Sequence, residues 1–200
     1  MIYPKSLEEL IENLKMLPGV GQKTAERYAL KIISMEKDDV NDLAKSIKDV
    51  KVKIKHCTKC GNLAESELCT ICSDELRDKT TICIVANTTD TIAMEKTENY
   101  HGLYHVLNGL ISPSKGVLPD DLNIESLKKR LNDSNLKEII IATNLTVEGD
   151  TTALYLSKYI QQENSKIIVS RIAHGLRVAG HLDYADDLTI IKAMEGRFKI

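Results

Sequence analysis

HCTKCGNLAESELCTICS, residues 56–73, holds four of the five cysteines of a 200-residue chain. Cys57 and Cys60 form one C-x2-C pair, Cys69 and Cys72 form a second, and eight residues separate the pairs. Zn2+ takes a tetrahedron of soft thiolates, and two such knuckles folded toward each other supply all four. Four protein ligands leave no open coordination position, so the expected role is structural, with one Zn2+ per chain. Two other readings stand beside it: disulfides, which an intracellular compartment disfavours, and a C-x-x-C redox pair, which would occur once beside a thioredoxin-like unit. The segment has no sustained hydrophobic period and is rich in small and polar residues, so it needs a staple to hold a shape. His56 flanks the cluster and is expected to be a bystander. Cys83, in an apolar run, reads as a small buried hydrophobe.

Upstream, residues 6–17 put Leu7, Leu10, Ile11, Leu14 and Leu17 on one helical face, with Ser6 and Glu9 spaced as a capping box and Pro18 as the stop. A second helical pattern, 22–35, shares a face between Ala25, Tyr28, Ala29, Ile32 and Ile33. A third, 40–50, is expected to be capped by Asp38 or Asp39 and to pack through Leu43, Ile47 and Val50. The first two are joined by LPGVGQKTAER, residues 17–27. Gly19 and Gly21 permit a tight turn and close approach of another backbone, and Lys23 and Arg27 lie one helical turn apart beside it. Amides at a helix N-terminus can face a phosphate. This is the layout of a helix-hairpin-helix, which grips the DNA backbone without reading sequence; the alternative is a plain αα-hairpin with a glycine turn. A Walker A loop is excluded, because Gly21-Gln22-Lys23-Thr24 lacks an adjacent Gly-Lys and follows a helix where a P-loop follows a strand.

Downstream come four short apolar runs: TICIVA at 81–86, HGLYHVL at 101–107, EIIIAT at 138–143 and KIIVSRIA at 166–173. Helical patterns lie between them at about 89–98, 124–132 and 150–162, and a last one at about 184–194. Alternating strand and helix predicts a parallel sheet with helices on its faces. The loop at 111–123, with two prolines and Gly116, is long for such a unit and reads either as functional or as a surface excursion.

Residues 1–60 carry 12 Lys and Arg against 9 Asp and Glu, and residues 61–200 carry 15 against 20, within a net charge of −2. The excess positive charge sits on the part that contains the hairpin, where an anionic polymer would be drawn. With 42% hydrophobic residues the chain can bury a core. Its start has no basic-then-apolar leader pattern, and no apolar run approaches the roughly 20 residues that span a bilayer. The expected compartment is the cytosol, with no membrane partner.

The two motifs, together with GLYHVL from Gly102, ISP from Ile111, IATNLTVEGD from Ile141, RIAHGL from Arg171 and YADD from Tyr184, closely resemble the bacterial RecR family of recombination mediators along the whole length. The resemblance implies an α/β multi-module fold: a helix-hairpin-helix over 1–53, a four-cysteine zinc finger over 54–78, a Toprim domain with a parallel sheet flanked by helices over 79–172, and a C-terminal helical segment over 173–200 that serves as an oligomer contact. It further implies dimers or ring-like tetramers, RecO and RecF proteins as partners, DNA as ligand, and the loading of RecA on single-stranded DNA in the bacterial cytoplasm. Enzymatic Toprim domains carry a Glu at the end of the first strand and an Asp-x-Asp pair at the end of a later one, where the carboxylates hold Mg2+. Here those places read Ala86-Asn87 and Ala142-Thr143-Asn144, so no enzyme is expected. The alternative function is a Toprim-type nuclease or topoisomerase-like enzyme, with a zinc-dependent transcription regulator third. Glu148 is expected to be an exposed acid facing RecO, Asp150 the N-cap of the following helix, and His101, His105, His174 and His181 structural. Ala86, Lys115, Arg177 and Ala179 depart from the family pattern.

Overall fold

The computed structural model describes residues 3–173, 175–176 and 180–197. His174, Arg177 and Ala179, singled out above, lie outside the described residues. The chain divides into two compact units, Met1–Ile54 and Lys55–Ile200.

The first unit is three helices: α1 (Lys5–Lys15), α2 (Gln22–Ile33) and α3 (Lys37–Lys53). α1 and α2 close on each other through Leu7, Ile11, Ala25 and Ala29. The two alanines bring the helices together because neither has atoms beyond Cβ. The capping box at Ser6 does not form; the helix already begins at Lys5, and the Pro4 carbonyl accepts from the amides of Leu7 and Glu8 at 2.9 and 3.1 Å. Nor do Asp38 or Asp39 cap α3. Its N-cap is Glu36, and the two aspartates sit in the first turn, where their charge favours the positive end of the helix dipole. The helical period predicts Leu43, Ile47 and Val50 to be packed, yet among the described residues no residue of α3 is buried. Tyr28 and Ile33 of α2 are likewise exposed.

The second unit opens with an antiparallel ribbon of β1 (Lys55–His56) and β2 (Leu63–Ala64), then a single helical turn, α4 (Thr70–Ser73). A four-stranded sheet follows from β3 (Asp78–Val85), β4 (Gly102–Val106), β5 (Glu138–Ala142) and β6 (Ile168–Arg171), in the order β4-β3-β5-β6 with every pair parallel. Helices α5 (Thr88–Glu95), α6 (Ile124–Leu131), α7 (Val147–Glu163) and α8 (Asp187–Glu195) complete it. Successive residues of β3 face opposite sides of the sheet. Ile82 and Ile84 join Leu127 and Leu131 of α6 and Leu156 and Ile160 of α7 in the larger core. Cys83 and Val85 join Tyr104, Val106 and Ala142 in a smaller one. Parallel strands buried on both faces read as continuous apolar runs, which is how the sequence displays them.

The strand-end loops hold one further correction. α7 begins at Val147, and its cap is Thr146, whose hydroxyl accepts from the Gly149 amide at 3.1 Å. Asp150 therefore does not cap; it pairs with Arg171 at 2.5 Å. The loop at 111–123 is ordered by two 3-10 turns, Pro113–Lys115 and Pro119–Asp121, and by a bridge between Ser112 and Val117. Among the described residues no helix is long and apolar enough to cross a membrane.

Candidate zinc centre and nucleic-acid interface

Each cysteine pair sits on a turn with the same backbone pattern. In the first knuckle the Gly61 amide donates to the Cys57 carbonyl at 2.9 Å, and in the second the Ser73 amide donates to the Cys69 carbonyl at 3.0 Å. Such a turn aims both side chains of a C-x2-C pair the same way. The ribbon brings the knuckles together, and the sulfurs of Cys57, Cys60, Cys69 and Cys72 all lie within 4.8 Å of one another. Cys60 and Cys69 are 3.6 Å apart at sulfur. A tetrahedron with Zn–S distances of about 2.3 Å requires sulfurs about 3.8 Å apart, so the donor set fits zinc. Cys57, Cys60 and Cys69 are buried and Cys72 is half-buried. Crowding also makes the four thiols unequal: the hydrogen bonds they share pull Cys69 below the thiol range and push Cys60 above it. A divalent cation removes that inequality by binding all four as thiolates. Zinc here is structural.

His56 lies outside the donor set, with its Nδ1 2.9 Å from the Gly61 carbonyl oxygen. Gly61 has φ +78°, and a Cβ there would come within 2.7 Å of the Val106 carbonyl oxygen, so only glycine lets this knuckle press against β4. Two bonds complete the docking: the Val106 amide donates to the Cys60 carbonyl at 2.7 Å, and Asn108 Nδ2 donates to the Gly61 carbonyl at 3.3 Å. β4 is an edge strand, and the zinc module occupies its open side.

In the hairpin, Gly19 turns the chain with φ +79°, a backbone shape that side chains disfavour. Gly21 is extended at φ −85° and caps α2. A Cβ on Gly21 would meet nothing within 4 Å among the described residues. Lys23 and Arg27 are exposed on α2. Arg27 lies over the Tyr28 ring, 5.5 Å from its centroid, and neither cation is in an ion pair among the described residues.

At the strand ends, Ala86 is fully buried and Asn87 and Asn144 are exposed. Glu148 is half-exposed, 3.8 Å from Lys115. The four cysteines are the single group of three or more His, Cys, Asp or Glu side chains close enough to hold a metal among the described residues. Cys83 is fully buried, and burial pushes its thiol up to about 12.

Sequence reasoning missed a buried polar group beside the zinc module. Arg130 donates from Nη1 to the Tyr104 carbonyl at 2.5 Å, and His105 Nε2 lies 2.6 Å from the Asn123 carbonyl oxygen. Lys128-Lys129-Arg130 reads as a solvated run, although Arg130 falls one helical turn from Leu127 and beside Leu131, on the apolar side of α6.

Comparison with known proteins covers every module. Family models match at 7–51 (RecR, helix-hairpin-helix), 54–74 (RecR, zinc finger domain of four cysteines), 80–173 (Toprim domain) and 180–197 (RecR, C-terminal). Curated relatives named "Recombination protein RecR" from Lactococcus lactis subsp. cremoris strains SK11 and MG1363 are 50% and 49% identical over 200 residues, the whole of both chains. One from Lactococcus lactis subsp. lactis strain IL1403 is 48% identical over the same span.

Proposed function

The chain belongs to the RecR family, and on that premise we propose that it serves recombinational DNA repair as a binding and loading factor. It acts in the bacterial cytoplasm, as a homo-oligomer, with RecO- and RecF-type proteins as partners in loading RecA on single-stranded DNA. It is a mediator and not an enzyme.

The observation that carries DNA binding is the hairpin: Gly21 leaves open space at the N-terminus of α2, and Lys23 and Arg27 stand exposed beside it. A phosphate backbone fits that arrangement, with amides and the helix dipole facing an anion and two cations flanking it. Interactions with the backbone carry no base code, so binding is independent of sequence. Each neutralised phosphate releases counterions, and log K falls with log[salt] by about 0.7–0.9 per phosphate. Replacing Lys23 and Arg27 together by Ala is expected to weaken binding to all sequences alike and to flatten the salt slope by roughly one unit for each phosphate no longer neutralised. Both residues are exposed, so the variant keeps its melting temperature. Wild-type affinity with an unchanged slope in the folded variant would demote the hairpin to a structural turn.

The acid proposed to meet RecO is Glu148, in the first turn of α7 beside the exposed Val147. In a pull-down, Glu148→Ala is expected to weaken capture of RecO while DNA binding by the chain alone is retained. Equal capture removes Glu148 from that interface.

A further inference from the structure

Arg130, in the last turn of α6, is 7% exposed, while its neighbours Lys128 and Lys129 lie in solvent. One nitrogen, Nη1, donates to the Tyr104 carbonyl at 2.5 Å and lies 3.5 Å from His105 Nδ1. The other, Nη2, is shielded from solvent and has no hydrogen-bond partner. No carboxylate pairs with Arg130 among the described residues. His105 offers no negative charge either. Its Nε2 meets the Asn123 carbonyl oxygen, which only accepts, so Nε2 carries the proton and Nδ1 presents a lone pair to Arg130. Burial first, and then the charge of Arg130, push its pKa down to about 3, so the ring is neutral.

A whole positive charge thus lies inside the protein among neutral groups, one of the costliest things a fold can bury unless an anion is near. The zinc module supplies one. Four thiolates around Zn2+ carry a net charge of −2. Both anchor on the open edge of β4: Arg130 holds the Tyr104 carbonyl, and two residues along the strand, about 7 Å at the usual rise, the Val106 amide holds the Cys60 carbonyl. We propose that Arg130 is the positioned countercharge of the zinc tetrathiolate centre, so that α6 and β4 of the sheet domain hold zinc in a finger to which they contribute no ligand. The electrostatics of the site agree. Burial lowers the Arg130 pKa, and the charges of Cys72, Cys60 and Cys57 are the groups that oppose it most. The inference rests on the zinc assignment and is independent of the DNA-binding role.

The test uses the full chain loaded with zinc, with metal release to a chelator followed by a colorimetric indicator. Metal analysis of the native protein comes first; a zinc-free native chain would overturn the zinc assignment itself. Groups that support metal ligands typically change metal retention by about 10–100-fold when removed. Arg130→Met is expected to release zinc at least tenfold faster than the native chain, with Arg130→Lys between them. Leu127→Ala, in the same helix and fully buried, is the control for a loosened α6 that keeps the charge. If Arg130→Met releases zinc at the native rate, or if Leu127→Ala releases it as fast as Arg130→Met, Arg130 is a structural tie to Tyr104 and the proposal falls. Should Arg130→Met not fold, a neutral variant that keeps a donor decides. Arg130→Gln repeats that decision with a side chain that can still donate toward the Tyr104 carbonyl but carries no charge: faster release at an unchanged melting temperature in excess zinc supports the proposal, and native release overturns it.

Discussion

His105 is fully buried in β4 and held neutral, with one ring nitrogen on the Asn123 carbonyl oxygen and the other facing Arg130. Its folded pKa, about 3, lies below the roughly 6.5 of an unfolded histidine. Between those values the unfolded chain binds the proton and the folded chain does not, so the stability His105 contributes is complete above pH 6.5 and is lost as pH falls toward 3. Between pH 6.5 and 5.5 this amounts to about 1 kcal/mol. Melts in excess zinc from pH 7.5 to 5.5 should therefore show a shallower loss for His105→Gln, which can donate and accept at the same places without titrating. Parallel curves for the two proteins would exclude His105 as the cause. Glycines at this scale play opposite parts. Gly149 is buried, and a Cβ there would collide with the Asn144 carbonyl oxygen, so it is required by the fold. A Cβ on Gly21 would meet nothing within 4 Å among the described residues, so the fold tolerates a side chain there.

The zinc knuckles are too small to fold on apolar burial alone; the cluster around them consists of three cysteines and Ala64, with Ile71 and Cys72 beside it. Structural zinc in such modules contributes on the order of 10 kcal/mol of apparent binding energy. Removal by a chelator is expected to unfold the ribbon and to take the Cys60 carbonyl from the Val106 amide, since that bond depends on the knuckle's shape. Hydrogen exchange then distinguishes the elements. The Val106 amide on the sheet edge should lose protection, while amides of the central strand β3, paired on both sides, should keep theirs. Unchanged protection at Val106 after complete zinc removal would mean that the module holds its form without metal.

At the level of the whole molecule, each unit leaves an apolar helix face uncovered. On α3, Ile47 and Val50 are 66% and 63% exposed, and on α8, Leu188, Ile191 and Met194 are 63%, 52% and 59% exposed. Contiguous apolar surface of this kind on a protein marks association. The proposed homo-oligomer predicts a solution mass that is a multiple of 22.3 kDa. Ile47→Asp, which puts a charge in the middle of the α3 stripe, should shift it to a smaller multiple without lowering helicity. A native chain that runs as a monomer at every concentration removes the oligomer from the proposal.

Some of this is local chemistry, and the sequence determines it alone. Thiolate spacing specifies a tetrahedral metal, glycines beside a helix start specify the hairpin turn, and uninterrupted Ile and Val runs specify strands buried on both faces, because each depends on residues close together in the chain. What an end or a charge does depends on which partner arrives from a distance. Ser6, Asp38 and Asp150 all have capping chemistry, and none caps, because Pro4, Glu36 and Thr146 fix the helix starts. Asp150 is drawn to Arg171 across the sheet end instead. Leu43, Ile47 and Val50 have the period of a packed face but join no core of their own unit among the described residues. Arg130 has the charge of a solvated residue, and it is buried on the apolar side of α6 with its guanidinium on the Tyr104 carbonyl of β4. Periodicity tells which residues share a face; only the tertiary fold decides what that face meets, since burial and charge pairing are settled between segments that the sequence keeps apart.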